Sequence, residues 1–151
     1  MTQKEQLQQD LKASMLARDA EKTSTLRMLL SAIGYYETQK GGAGYVASDE
    51  DVLAVIQREA KQHKDSIEQF TTAGRTDLVD KEKKELTFLE TYLPEQMAEE
   101  EVKKLVDEAV SQTGATSPQD IGKVMGALMP KVKGKADGTL VSRLVKESLT
   151  K

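Results

Sequence analysis

The chain has 151 residues and a formal net charge of −3, with 38% hydrophobic and 31% charged residues and no cysteine or tryptophan. That length holds one large domain or two small ones, and the missing cysteines exclude disulfides, thiol nucleophiles and thiolate metal sites. No run nears the about eighteen apolar residues of a membrane helix, and no apolar secretory segment opens the sequence; the expectation is a cytoplasmic protein without membrane contact.

Apolar residues recur at helical spacing nearly everywhere, and no stretch alternates with period two. Leu7, Leu11 and Met15 mark a first helix over roughly residues 3–17. Asp19 is the expected N-cap of a second, whose stripe is Leu26, Leu29, Leu30 and Ile33 and which gives out at the glycine-rich "KGGAGYVAS". Ser48 with Asp51 three residues on has the form of a capping box, opening a third helix along Val52, Ile56, Ala60, His63, Ile67 and Phe70. Gly74 stops it. A fourth helix carries Leu78, Leu86, Leu89 and Tyr92 inward and ends before Pro94, which drives Leu93 out of helical geometry.

Shorter units follow. Val102, Leu105, Val106 and Ala109 predict a fifth helix that stops near Gly114. In "SPQD", Ser117 is the expected N-cap, Pro118 the first helical residue and Asp120 the acid three past the cap. Ile121, Val124, Met125 and Leu128 carry that sixth helix toward Pro130. After "KGKADG", Asp137 is placed to cap a last helix packed through Leu140, Val141, Leu144, Val145 and Leu149. The expected fold is all-α, with a long-helix N-terminal domain over 1–94 and a compact three-helix domain over 97–151.

Little here speaks for catalysis. His63 is the single histidine and falls in an apolar stripe, where a core-edge imidazole satisfied by a neighbour is the plain reading; without carboxylate partners it cannot hold zinc, and no HExxH spacing is present. No GxSxG elbow, Walker loop or GxGxxG occurs. The acids at Glu99 to Glu101 fit the positive end of a helix dipole. The expectation is no catalytic residue, no metal and no cofactor.

The positive charge is unevenly placed. Residues 122–146 hold Lys123, Lys131, Lys133, Lys135, Arg143 and Lys146 against Asp137 alone, a local +5 that leaves −8 for the rest of the chain. Such an island suits a polyanion, with Lys131, Lys133 and Lys135 grouped about Gly134 as a phosphate-facing loop and Arg143 and Lys146 extending it. Gly122 and Gly126, one turn apart, share a helix face, and each costs about 0.8–1 kcal/mol relative to alanine. Close packing against another helix is the first reading of that cost, and approach of an RNA backbone the second.

The string "GKVMGALMPKVKGKADGTLVSRLVKESL" (122–149) resembles the C-terminal tail of the GatB/YqeY family, with its Gly-x-Val-Met start, Lys-Gly-Lys-Ala turn and Val-x-x-Leu-Val-Lys helix. "LRMLLSAI" (26–33), "KDSIEQFTTAGRTDLVDKEKKEL" (64–86) and "ETYLPEQM" (90–97) are similar to the stand-alone YqeY proteins, so the resemblance covers nearly the whole chain. It implies an all-helical fold with a small tail domain. In GatB, a component of the glutamine-dependent aspartyl/glutamyl-tRNA amidotransferase, the related module helps recognise the tRNA body, while a separate cradle amidates the aminoacyl end. The family relation is thus to a carbon–nitrogen ligase with glutamine as amido-N-donor, but 151 residues leave no room for the cradle, so the chain is not expected to perform that chemistry alone. Gly122, Gly126, Lys133, Gly134, Lys135 and Ala136 fall in the matching motif. Asp137–Gly138 departs from it, since the related tail tends to Asn-Pro there. The implied partners are tRNA or another structured RNA, alongside an amidotransferase or aminoacyl-tRNA synthetase. The alternative is a protein-interaction or oligomerisation module, suggested by long amphipathic helices with six methionines.

Overall fold

The computed structural model describes residues 1–150, and these form helices and connections without a strand. The chain divides into two compact units, Met1–Leu93 and Pro94–Lys151.

In the first unit, α1 (Gln3–Leu16) opens with Thr2 and Glu5 closing a reciprocal capping box. The chain then reverses through Arg18, which takes φ +57° while Arg18 and Asp19 donate their N–H groups to the carbonyls of Met15 and Ser14. This is a Schellman turn made without the usual glycine. Asp19 then caps α2 (Ala20–Gly41) by accepting from the Lys22 N–H. Ser48 and Asp51 form the expected capping box of α3 (Asp49–Thr72). Gly74, at φ +71°, reverses the chain again, with Arg75 and Gly74 donating to Phe70 and Thr71, and α4 (Thr76–Glu90) returns along α3 as a helical hairpin.

The core of this unit gathers Leu7, Leu26, Leu29, Ile33, Val52, Val55, Ile56 and Leu89. Burying such a side chain contributes roughly 1.5–3 kcal/mol. Two inward residues escape the sequence stripes. Val55 is fully buried, and on α4 the buried residue is Val79, with Leu78 only half-buried. Val79, Glu82, Leu86 and Leu89 are spaced three, four and three apart, so the inward stripe of α4 contains a glutamate.

Asp51 is the buried acid of the unit. It accepts from Tyr36 Oη (2.9 Å), Lys40 Nζ (2.6 Å), Tyr45 Oη (2.6 Å) and the Ser48 N–H (3.0 Å). The Lys40 ammonium, then Tyr45 and the Ser48 amide, hold its carboxyl well below the usual carboxylate range. These bonds anchor the glycine-rich loop between α2 and α3.

The second unit packs α5 (Glu99–Thr113), α6 (Ile121–Val132) and α7 (Gly138–Leu149) through Val102, Val106, Ala109, Val124, Leu128, Val132, Val141, Leu144, Val145 and Leu149. Gly114 ends α5 at φ +67°. Ser117 and Asp120 make the expected capping box, but they enclose a single 3₁₀ turn (Pro118–Asp120), and the α-helix starts only at Ile121. At its other end α6 runs through Pro130 to Val132 instead of stopping short. Proline forfeits one bond, to the carbonyl four residues back, and its ring crowds that carbonyl. The residue four back is Gly126, whose lack of a side chain leaves the backbone latitude to yield.

Candidate nucleic-acid interface

From Lys131 to Ala136 burial alternates strictly: Lys131, Lys133 and Lys135 are exposed, and Val132, Gly134 and Ala136 are buried. The inward residues fix the outward ones. Gly134 turns at φ +78°, a region that glycine enters without a Cβ penalty. Lys135 and Ala136 donate to the Val132 carbonyl at 2.9 and 3.1 Å. The segment before α5 closes the loop from outside, with Gln96 Nε2 donating to the Gly134 carbonyl (2.9 Å) and the Met97 N–H to the Lys135 carbonyl (2.8 Å). The lysines therefore stand on a pinned edge, so less order is lost when they meet a ligand.

Gly122 and Gly126 do not pack against a helix. A Cβ added at either meets nothing within 4 Å, so the close-packing reading of the pair is corrected. The reason is rotational. Ile121, Val124, Leu128 and Val132 take the core face, and the glycines fall about a quarter to a third of a turn away, with Met129 on the same flank. Pro130, lacking an N–H, also leaves the Gly126 carbonyl without its usual intrahelical donor. That flank carries no side chain at either glycine. Lys131 is nine residues from Gly122, about half a turn around the cylinder, so it does not share the glycine flank.

The rest of the basic set is divided. Arg143, on α7, reaches Glu99 Oε1 with Nη2 (3.0 Å) and Glu147 with Nη1 (3.8 Å), which commits its charge to the acidic start of α5. Lys146 is exposed one turn further on. Lys123 is exposed near Asp120, whose carboxyl is lowered first by the Thr116 amide and more weakly by the Lys123 charge. Asp137 accepts from the Thr139 N–H (3.1 Å), so the N-terminus of α7 is capped by a carboxylate, which disfavours a second anion at that spot. Lys123, Lys131, Lys133, Lys135 and Lys146 are all exposed on this unit.

Sequence reasoning missed Glu99 as the partner of Arg143. It also missed Glu82 and Glu85, which meet His63 from α4; Nδ1 lies 2.5 Å from Glu82 Oε2 and 3.6 Å from Glu85 Oε2. The only signal was the glutamate in the inward stripe of α4.

The chain matches the family described as Yqey-like protein over residues 4–149. It is 32% identical over 145 residues to "Altered inheritance of mitochondria protein 41, mitochondrial" of Pyrenophora tritici-repentis, covering 93% of this chain and 77% of that protein. A Saccharomyces cerevisiae protein of the same name is 32% identical over 128 residues, covering 81% of this chain and 68% of its own length. An uncharacterized Schizosaccharomyces pombe protein is 39% identical over 82 residues, covering 54% of this chain and 64% of its own, so the chain spans under two thirds of that relative. The expected cytoplasmic address is overturned by the two mitochondrial names, which point to mitochondria instead. The lack of cysteine behind that expectation does not discriminate between the two addresses.

Proposed function

Because this chain belongs to the YqeY-like family, related to the C-terminal part of GatB, we propose that it is a non-catalytic accessory module that binds tRNA or a similarly structured RNA through its second unit. The observation that carries this reading is the pinned lysine edge. Exposed lysines alternating with buried small residues, on a loop tied down by Gln96 and Met97, present fixed positive charge to a phosphate backbone. The unit is bipolar: residues 94–151 hold nine basic and nine acidic side chains, five of the acids being Glu99, Glu100, Glu101, Asp107 and Glu108 on α5. An RNA is therefore drawn to the α6–α7 side and repelled by α5.

The bare flank at Gly122 and Gly126 supports the same reading. With no side chain at either glycine, a ribose can approach the helix backbone closely on this flank, and its 2′-hydroxyl is the group that DNA lacks. Gly122 costs helix stability and gains no packing, so the ligand accounts for it better than the fold, whereas Gly126 also eases the passage of α6 through Pro130. Amidotransferase chemistry belongs to the cradle of the larger enzyme, and the proposed role here is to hold RNA beside such an enzyme or a synthetase.

The experiment is amide NMR of the full chain titrated with folded tRNA at low ionic strength. Shifts confined to residues 122–126 and 131–135 and to the turn around Lys146 are expected, and an unmoved tail overturns the reading. A second reading, a protein-interaction module, is favoured by Met15, Leu16 and Met28, which stand 49%, 87% and 60% exposed on the first unit. A defined oligomer by light scattering, abolished by Leu16→Glu and indifferent to RNA, is the outcome that selects it.

A further inference from the structure

The hairpin of α3 and α4 turns at Gly74, and His63 and Glu85 each lie eleven residues from it. Antiparallel pairing therefore brings them to the same level, with Glu82 one turn away on the same face of α4. One imidazole nitrogen and one oxygen from each carboxylate lie within 4.8 Å of one another. The three side chains are only 14%, 20% and 21% exposed. Although the chain has 22 lysines and arginines, neither Glu82 nor Glu85 pairs with one among the described residues; His63 is their shared partner. Two half-buried carboxylates side by side repel unless positive charge lies between them.

We propose that His63, Glu82 and Glu85 bind a divalent cation of the zinc class, through His63 Nδ1 and one oxygen of each glutamate. The donor set selects the metal. Imidazole with two carboxylates suits zinc and its borderline neighbours, while magnesium and calcium prefer all-oxygen shells. Two carboxylates neutralise the ion. Three protein ligands leave a tetrahedral ion one position open, as in zinc sites that hold a water or a substrate. Glu85, alone of the three, also lines a cleft of about 600 Å³ between the start of α2 and α4, so the site borders a cavity. A zinc site was excluded at the sequence level for want of partners around a lone histidine; the hairpin supplies them from the other helix.

The chain has one histidine, so its imidazole signals are unambiguous. The full chain is titrated with zinc chloride by calorimetry and by ¹⁵N NMR of the imidazole. Expected are one ion per chain, a micromolar dissociation constant, and a shift of the Nδ1 resonance that magnesium at equal concentration does not reproduce. Glu82→Gln combined with Glu85→Gln keeps the side-chain shape and should weaken binding at least about tenfold. Zinc binding that leaves the imidazole unmoved, an equal response to magnesium, or unchanged affinity in the folded double variant overturns the proposal. If that variant does not fold, the wild-type imidazole resonance decides alone: a zinc-specific Nδ1 shift sustains the site, and its absence removes it.

Discussion

Replacing Lys131, Lys133 and Lys135 together by alanine should flatten the salt dependence of RNA binding, and its size follows from the side chains that face outward. Five lysines face solvent on the α6–α7 side, while Arg143 is engaged by Glu99 and Glu147. Each phosphate neutralised contributes about −0.9 to the slope of log affinity against log salt, so five give about −4.5. Raising salt from about 50 to about 200 mM then weakens the wild type about 500-fold. The triple variant keeps Lys123 and Lys146, a slope of about −1.8, and loses only about twelvefold over the same range. Because the three side chains are exposed, the core of the unit is untouched and circular dichroism should match the wild type. The assay is fluorescence anisotropy of labelled tRNA across a salt series. Arg143→Ala serves as the internal control, since a guanidinium already held by two carboxylates should change the slope by less than about 0.5. A triple variant with the full wild-type slope, or a whole unit of slope lost on Arg143→Ala, refutes the assignment of the edge.

Three further outcomes are expected. Gly122→Ala should stabilise the protein by about 0.8–1 kcal/mol, because the new methyl meets no atom within 4 Å, while weakening tRNA binding; denaturant titration and anisotropy read the two effects separately. Stabilisation with unchanged affinity would show that the bare flank has no part in binding. Arg18→Gly should raise stability by about 0.5–1 kcal/mol in urea titrations, since arginine at φ +57° occupies the left-handed region at a cost that exceeds glycine's entropy in the unfolded chain. The Asp51 carboxyl is depressed in the folded state, so its contribution is fully present above the unfolded value of about 3.9 and fades as pH falls toward the folded value. Wild-type melting temperature should therefore drop below about pH 4, and Asp51→Asn should be less stable at neutral pH and flatter across that acid range; parallel curves would contradict the role given to this acid.

Local signals proved sufficient wherever one element decided the outcome. The all-α class, the Ser48–Asp51 capping box, the Asp19 and Asp137 caps and the stops at Gly74 and Gly114 rest on interactions within a few residues of backbone. They are legible because helical periodicity and capping chemistry are written in contiguous sequence. The end of α6 resisted reading: Pro130 argues for a stop, yet the helix runs on to Val132.

Which charges face outward, and which meet, belonged to the tertiary structure. Arg143 counts as one more cation in the sequence; 44 residues away, Glu99 takes it out of the basic edge once α5 packs on α7. The glycine pair fits a helix interface equally well until α6 is rotated by its core residues, which turns that flank outward. His63 looks solitary until the hairpin folds Glu82 and Glu85 against it. Spacing along a chain sets which residues share a face of one helix, but the rotation and pairing of helices follow from burying all the apolar stripes at once, and that is a property of the assembled core.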